Sequence, residues 1–269
     1  MGGQILGDRY EVEYQLGKKS GRWTLQARDL QTQESVILKV LFLDENLRAT
    51  DLKLFTREIE ALKVLRHPAT PCYLDYFETQ LPSGDKALTL VQSFVDGRSL
   101  RSYLIEGLRL TQAQAHYLAQ KVLTILASLH RQSPPIIHRD IRPSNILLNP
   151  GLPLESASIF LVDFGSVKSL TPGTTAFTVV GMDGYVSPEQ ASGRVLAVSD
   201  LYSLGATLVE ALTGKSPSQL QTKGLRIDFE PHADLSPEFS QWLKGMLAPS
   251  LDHRWPSAEQ ALAALNGLP

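Results

Sequence analysis

The chain has 269 residues, of which 43% are hydrophobic, and a formal net charge of −2. This apolar content is enough for one large domain or two lobes with a buried core, and the near-neutral charge gives no electrostatic case for nucleic acid or an acidic membrane as a partner. One cysteine, Cys72, cannot form an internal disulfide. Neither the basic-plus-apolar pattern of a secretory signal peptide nor an apolar run of about 18 residues is found, so we expect a cytoplasmic protein without a transmembrane segment.

The first part of the chain, up to about Asp96, has mostly strand-like periodicity. Alternating or largely apolar segments predict strands at residues 10–14, 23–27, 35–41, 72–77 and 87–94, with a turn at 82–85 before the last. Residues 52–66 place their apolar side chains on one helical face, and His67-Pro68 ends this predicted helix.

The second part is mostly helical in its periodicity. Thr111 and Gln114 form a capping-box pattern at the start of an apolar helix that runs to His130. A second helix is predicted over residues 198–212 and closes at Gly214, and shorter helices are predicted at 237–247 and 257–265. The change of periodicity near the middle of the chain predicts two lobes.

The residues that can carry chemistry concentrate in "IIHRDIRPSNILL", residues 136–148. Asp140 precedes Asn145 by five positions in a polar loop between apolar runs, a spacing that can hold a general base and a metal ligand around one phosphoryl group. Further on, "IFLVDFG" places Asp163 at the end of an apolar strand, where a carboxylate suits a divalent cation. Taken alone, Asp-Phe-Gly after a strand is usually only a turn.

Together these segments resemble the catalytic domain of the eukaryotic-like serine/threonine protein kinases found in bacteria, from Tyr10 to about Leu265. The matching residues are Lys39, Glu58, His138, Arg139, Asp140, Asn145, Asp163, Phe164, Gly165, Ser187, Pro188, Glu189, Asp200 and Arg254. The resemblance implies an α+β, bilobal protein kinase-like fold. A leader at 1–9 would precede a small N-lobe at 10–95, with an antiparallel sheet and one helix, and a larger, mainly helical C-lobe at 96–269.

The resemblance also implies transfer of the γ-phosphate of ATP to serine or threonine hydroxyls of a protein substrate. Asp140 would accept or steer the hydroxyl proton, while Asn145 and Asp163 would hold Mg²⁺, with Mn²⁺ as an alternative ion. A lysine inside an apolar strand is costly unless paired, and Glu58 is the natural partner that would orient Lys39 toward the α- and β-phosphates. The alternative is an edge lysine whose ammonium reaches solvent.

The residues implied to contact ATP lie in both parts of the chain. Gln92 would be the gatekeeper at the back of the adenine slot, and residues 93–95 would form the hinge. The full set implied is Gly17, Lys19, Arg22, Thr24, Ile37, Lys39, Gln92, Ser93, Phe94, Val95, Leu147 and Asp163.

The phosphate-binding loop departs from the family pattern. Only Gly17 falls on one of its three glycine positions, since Lys19 and Arg22 occupy the other two. Without glycine at these two positions, the backbone N–H groups would approach the phosphates less closely. Each hydrogen bond lost in this way is worth about 1 kcal/mol. The two cations can recover part of this as charge-assisted contacts to phosphate, or the segment is a solvated turn. Thr24 and Ile37 replace a valine and an alanine around adenine.

Two further departures lie near the substrate. Arg142 stands where a lysine usually contacts the γ-phosphate, and it keeps the charge but not the point-like ammonium. Met182 replaces a threonine that commonly bridges to the catalytic aspartate. Both bear on the rate and on the preference for serine or threonine.

Regulatory and structural roles are implied as well. Arg139 resembles an arginine that clamps a phosphorylated activation-segment residue, although a threonine-rich loop without phosphorylation is equally compatible; the candidates are Thr171, Thr174, Thr175 and Thr178. Glu189 and Arg254 would form a buried structural ion pair. Asp200 would accept hydrogen bonds from the catalytic-loop backbone, or serve as an ordinary helix cap.

Three functions from different classes follow. The first is a protein kinase that acts on a partner protein. The second is a pseudokinase or scaffold that binds nucleotide or partners with weak or absent transfer. The third, a small-molecule phosphotransferase of the antibiotic-kinase type, shares the Asp and Asn spacing but does not account for Glu189 and Arg254. Because the metal and base residues are all present, we favour an active kinase. The oligomeric state is left open.

Overall fold

The computed structural model describes residues 2–19, 21–45, 47–80, 84–149, 153–166, 168–169, 184–220, 222–223 and 226–268. The predictions made for Met182, for Thr171, Thr174, Thr175 and Thr178, for residues 82–83 of the turn and for the side chain of Lys19 lie outside this description. The chain divides into two compact units, residues 1–95 and 96–269.

The first unit is built on an antiparallel sheet with the strand order β1-β2-β3-β4-β6-β5 among its described residues. The strands and the helix α1 are β1 (Ile5–Leu6), β2 (Tyr10–Lys19), β3 (Arg22–Asp29), β4 (Ser35–Phe42), α1 (Ala49–Val64), β5 (Tyr73–Gln80) and β6 (Lys86–Ser93). Buried side chains from several strands, including Val12, Leu25, Leu38 and Val91, form its core. The central strands β4 and β6 are buried over most of their length, which explains their largely apolar sequences.

The structure corrects the predicted start of this unit. Residues 1–9 were expected to be a leader, but Ile5 and Leu6 pair with Glu11 and Tyr10 as strand β1. Leu6 is only 2% exposed and belongs to the core of the sheet. A two-residue strand is too short to show a periodic pattern, so the sequence carries no signal for it.

Helix α1 buries the face that the apolar pattern predicts. Phe55, Ile59 and Leu62 are buried, and Glu58 lies on the same buried face. The helix begins and ends a few residues before the predicted limits, and Leu65 at its C-cap is already extended ahead of His67-Pro68.

The second unit is mainly helical. Its helices and strands are β7 (Arg98–Ser99), α2 (Leu100–Ile105), α3 (Gln112–His130), β8 (Ile136–Ile137), β9 (Ile146–Asn149), β10 (Ser158–Leu161), β11 (Lys168–Ser169), α4 (Pro188–Ala191), α5 (Ala197–Thr213), β12 (Thr222–Lys223), β13 (Arg226–Ile227), α6 (Pro237–Met246) and α7 (Ala258–Asn266).

The predicted helix ends of this unit are confirmed where capping chemistry marks them. Thr111 and Gln114 form the reciprocal capping box of α3. Gly214 closes α5 with a φ of +69°, a conformation that favours glycine. The short helix α2 was not predicted, because six residues give little periodicity to detect.

Helix α5 is the central element of the second unit. Nearly all of its residues are buried, including the polar Asp200, Ser203 and Thr207. In the part of the chain that is described, no helix combines the length and the apolar character needed to cross a bilayer.

Candidate active site

Lys39 and Glu58 form a buried ion pair in the first unit. Lys39 on β4 is 3% exposed and Glu58 on α1 is 0% exposed. The Lys39 ammonium donates to Glu58 Oε1. The predicted pairing is therefore confirmed, and the alternative of a lysine that reaches solvent is not what the structure contains.

Arg22 joins this pair, which the sequence did not predict. Its guanidinium donates through Nη2 to Glu58 Oε2, while its side chain is 21% exposed. The sequence predicts that Arg22 contacts phosphate, whereas the structure directs its guanidinium to Glu58; the phosphate contact stays a prediction. The period of two in β3 places Arg22 and Thr24 on one face, but only the pairing of Thr24 with Lys39 brings Arg22 beside the Lys39–Glu58 pair.

The predicted phosphate loop is the hairpin of β2 and β3. Pairing extends as far as Lys19 and Arg22, and Gly21 turns the chain with a φ of +70°. A Cβ at Gly17 would meet Thr24 Cβ at 3.8 Å, an ordinary contact, so the sheet itself does not require glycine there. The family's glycine at this position is therefore not explained by packing within the hairpin.

Three of the residues predicted around adenine, Thr24, Ile37 and Gln92, lie on the adjacent strands β3, β4 and β6. Thr24 is paired with Lys39, and Ile37 is paired with Gln92. Ile37 and Gln92 are buried. Ser93 ends β6, where its Oγ accepts the backbone N–H of Cys72 at 2.9 Å. Phe94 and Val95 follow it and are partly buried, and Leu147 lies on β9 in the second unit.

Asp200 organises the catalytic loop in the second unit. Its Oδ2 accepts the backbone N–H of His138 at 2.9 Å and its Oδ1 accepts that of Arg139 at 2.8 Å. His130 Nε2 lies 2.9 Å from Asp200 Oδ2. The predicted role of Asp200 is confirmed, because a simple helix cap would bond to the first turn of its own helix.

Asn145 is held against Asp140. Its Nδ2 donates to the Asp140 carbonyl oxygen at 2.7 Å and to Asp140 Oδ2 at 3.1 Å. Asp140 is half-buried and Asn145 is 7% exposed. The amide nitrogen is thus committed to the protein, and the Asn145 Oδ1 atom, which accepts a 3.3 Å bond from Ser144 Oγ, is the atom suited to a cation.

Asp163 is attached to the same loop through its neighbour. The backbone N–H of Val162 donates to the Asn145 carbonyl at 2.9 Å, and His138 Nε2 lies 3.1 Å from the Val162 carbonyl. Phe164 is buried, with its ring edge-on to His138 at 4.8 Å. Asp163 itself has a φ of +63°, a strained conformation of the kind found at functional sites.

Arg142 lies beside a cluster of polar side chains, Tyr185, Glu210 and Arg101, that the sequence does not predict. Its guanidinium carbon is 5.3 Å from the centre of the Tyr185 ring. The Tyr185 hydroxyl donates to Glu210, which also pairs with Arg101. Burial and the bond to Glu210 raise the pKa of Tyr185 above its ordinary value. A glutamate inside an apolar helix was the available signal.

Glu189 and Arg254 form the predicted buried ion pair. Arg254 Nη1 and Nη2 donate to the two oxygens of Glu189 at 2.5 and 2.9 Å, and Arg254 is 3% exposed. Arg254 Nε also donates to the Ala248 carbonyl at 2.9 Å. Burial alone would raise the pKa of Glu189, but hydrogen bonds from Arg254 and neighbouring serines outweigh it, so this pKa lies below its ordinary value.

The donor chemistry fits a magnesium ion shared with phosphates. Mg²⁺ prefers oxygen ligands and is usually held by one or two carboxylates together with substrate phosphates. Asn145 Oδ1 and the Asp163 carboxylate supply such oxygens. A cage of three or more His, Cys, Asp or Glu side chains is not found among the described residues.

Comparison with known proteins gives a consistent result. A family model described as the protein kinase domain matches residues 10–265. Serine/threonine-protein kinase B of Synechocystis sp. is 33% identical in an alignment 279 residues long, which covers 97% of this chain and 47% of that protein. PknB of Mycolicibacterium smegmatis is 32% identical over 277 residues, 97% of this chain and 43% of that protein. The chain spans less than half the length of these curated relatives.

Proposed function

The chain belongs to the protein kinase family, and we propose that it transfers the γ-phosphate of ATP to serine or threonine hydroxyls of protein substrates. The relatives it matches are named serine/threonine-protein kinases. We further propose that this activity operates in the cytoplasm. Its protein partners are a substrate and, for regulation, any protein that controls the kinase.

The proposal rests above all on the two hydrogen bonds by which Asn145 fixes Asp140. Asn145 Nδ2 bonds both the carbonyl and the carboxylate of Asp140. The backbone N–H groups just before Asp140 are bonded in turn to the buried Asp200. A base held in this way from two sides is fixed before substrate arrives, and such preorganisation is how phosphoryl transfer is mainly accelerated.

The residues have the following proposed roles in transfer. The substrate hydroxyl oxygen bonds to the γ-phosphorus as the bond to the bridging oxygen breaks, ADP leaves, and the hydroxyl proton passes to Asp140. Lys39, held by Glu58, binds oxygens of the α- and β-phosphates. Arg142 directs positive charge toward the γ-phosphate.

Asn145 and Asp163 would hold the divalent cation through their side-chain oxygens. When bound, Mg²⁺ neutralises the charge of the phosphates. For adenine, residues 93–95 would offer backbone hydrogen bonds, and Thr24, Ile37, Gln92 and Leu147 are each proposed to contact the ring. Gly17 and Lys19 lie on the strand that precedes the hairpin turn, where they would approach the phosphates.

Transfer of labelled γ-phosphate tests this function. The protein is incubated with ATP and Mg²⁺, or Mn²⁺, with itself and myelin basic protein as acceptors. We expect label on phosphoserine or phosphothreonine, its loss in Asp140→Asn, and its retention in the matched control Asp234→Asn, which changes an exposed aspartate. No label in the native protein, together with a rise in melting temperature on adding ATP and Mg²⁺, would overturn the proposal in favour of a nucleotide-binding scaffold.

A further inference from the structure

Glu58 divides its two oxygens between two cations. Lys39 donates to Oε1 and Arg22 donates to Oε2. The two cations therefore do not compete for the same atom. Because Glu58 is fully buried, its charge has to be compensated by protein groups rather than by water.

Arg22 contacts helix α1 at a second point. The carbon at the centre of its guanidinium lies 5.3 Å from the middle of the Phe55 ring. Phe55 is fully buried and precedes Glu58 by three positions, so both side chains lie on one helical face. Stacking on an aromatic ring and a hydrogen bond to a carboxylate are both well suited to a planar guanidinium.

The strand register explains how two cations reach one carboxylate. Arg22 on β3 is paired with Leu41 on β4, and Thr24 is paired with Lys39. Since side chains alternate across a strand, Arg22 and Lys39 lie on one face of the sheet as diagonal neighbours. Helix α1 is thus attached through Glu58 to two adjacent strands.

We infer that Arg22 is a positioning residue that holds Glu58, and through it Lys39, in the arrangement needed to bind the phosphates of ATP. This role rests on the proposed function. Arg22 keeps Glu58 compensated while the ammonium of Lys39, which has three N–H donors, also engages phosphate. At the position of the family's third glycine, this chain therefore has an arginine that holds helix α1 through Glu58 and Phe55.

A loop that merely lacks a glycine and an arginine that positions Glu58 predict opposite effects of Arg22→Gly on the KM for ATP. If the loop merely lacks a glycine, Arg22→Gly restores backbone access and lowers the KM for ATP. If Arg22 is a positioning residue, the same change loosens α1 and raises that KM. The direction of the change in KM therefore separates the two accounts.

The test compares three variants at one position. Arg22→Gly removes the side chain, Arg22→Met keeps a long apolar stem over Phe55 without charge, and Arg22→Lys keeps a cation. The matched control is Arg28→Gly, the same change in the same strand, which removes the 2.6 Å bond from Arg28 to Glu13 and a 3.4 Å bond from Arg28 to the Gln33 carbonyl and leaves Glu58 untouched. Each protein is measured without nucleotide by amide hydrogen exchange over residues 55–62, and with nucleotide for KM and kcat.

We expect amide exchange in this part of α1 to increase about tenfold in Arg22→Gly and Arg22→Met, and the KM for ATP to rise by a similar factor, with a smaller change in kcat. Arg22→Lys recovers most of both quantities and Arg28→Gly matches the native protein. If Arg22→Gly does not fold, the comparison of Met with Lys decides the question.

Native exchange in α1 for both Arg22→Gly and Arg22→Met, or a lower KM for ATP in Arg22→Gly, would overturn the inference. The exchange measurement needs no catalysis. If the native protein transfers no phosphate, that result counts against the proposed function, while exchange still decides whether Arg22 holds Glu58.

Discussion

Asp200 Oδ1 accepts the backbone N–H of Arg139 at 2.8 Å, although the two residues lie 61 positions apart. Arg139 has a φ of +70°, which is uncommon for a residue other than glycine. The Arg139 carbonyl is bonded as well, by Gln190 Nε2 at 2.9 Å. Hydrogen bonds between the backbone and two buried side chains, Asp200 as acceptor and Gln190 as donor, therefore hold the strained backbone immediately before Asp140, and the position of Asp140 depends on them.

Replacing Asp200 by asparagine tests this dependence. An asparagine has one acceptor oxygen in place of two, so one of the backbone N–H groups of His138 and Arg139 would face an amide donor. We expect a loss of about 1–3 kcal/mol in the free energy of unfolding and a lower rate of phosphate transfer. Thermal melts and the labelling assay measure both, with the exposed Asp252→Asn as control. Native stability and rate in Asp200→Asn would contradict the dependence.

The sequence predicts the long helices of the fold better than it predicts contacts between side chains that are distant in the chain. Helices α3 and α5 were predicted because capping residues such as Thr111 and Gly214 act locally. The pairs of Lys39 with Glu58 and of Glu189 with Arg254 were found because the family resemblance names both partners. Strand β1 and the contact of Arg22 with Glu58 were not, because each depends on strand pairing that brings distant residues together.

Removing Lys39 is expected to leave Glu58 partly compensated. In Lys39→Met, Arg22 still donates to Glu58 Oε2, so the loss of stability is smaller than the roughly 3–5 kcal/mol typical of an uncompensated buried charge. The double variant Arg22→Met with Lys39→Met leaves neither cation, and its loss should exceed the sum of the single losses by about 1–3 kcal/mol. Urea unfolding of the four proteins gives this coupling; strictly additive losses would show that the two cations act independently.

Removing Arg254 should destabilise the protein strongly. Arg254→Met leaves the Glu189 carboxylate without the two bonds at 2.5 and 2.9 Å. A buried charge that loses its partner typically reduces the free energy of unfolding by about 3–5 kcal/mol. Adding Glu189→Met to Arg254→Met removes that charge and should recover part of the loss. Denaturant unfolding measures both, and a double variant less stable than Arg254→Met would contradict the charge argument.

The lowered pKa of Glu189 predicts a dependence of stability on acid. When a carboxyl pKa is lower in the folded state, its stabilisation is present above the ordinary pKa, about 4.3 for glutamate, and is lost as pH falls through the folded value. The native protein should therefore be more stable than Glu189→Gln at pH 7, and the difference should shrink below about pH 4.3. Unfolding curves at a series of pH values measure this. A difference that stays constant into acid would refute the assignment.

Asn145 is expected to act in two ways, and the dependence of the transfer rate on Mg²⁺ can separate them. Its Nδ2 orders Asp140 through bonds at 2.7 and 3.1 Å, while its Oδ1 is the proposed cation ligand. Asn145→Ala removes both, and we expect transfer to fall by about 10²–10⁴-fold, the usual value of a well-placed base. Raising Mg²⁺ should recover only part of the rate, because added cation replaces a lost ligand but does not reorient Asp140.

The measurement is a titration of the transfer rate with Mg²⁺ for the native protein, Asn145→Ala and Ser144→Ala. Ser144→Ala is the matched control, since it removes only the 3.3 Å bond to Asn145 Oδ1 and leaves the amide nitrogen on Asp140. Its titration should stay close to that of the native protein. Full recovery of Asn145→Ala at high Mg²⁺ would show that Asn145 is a ligand alone, and an unchanged Mg²⁺ midpoint would show that it only orders Asp140.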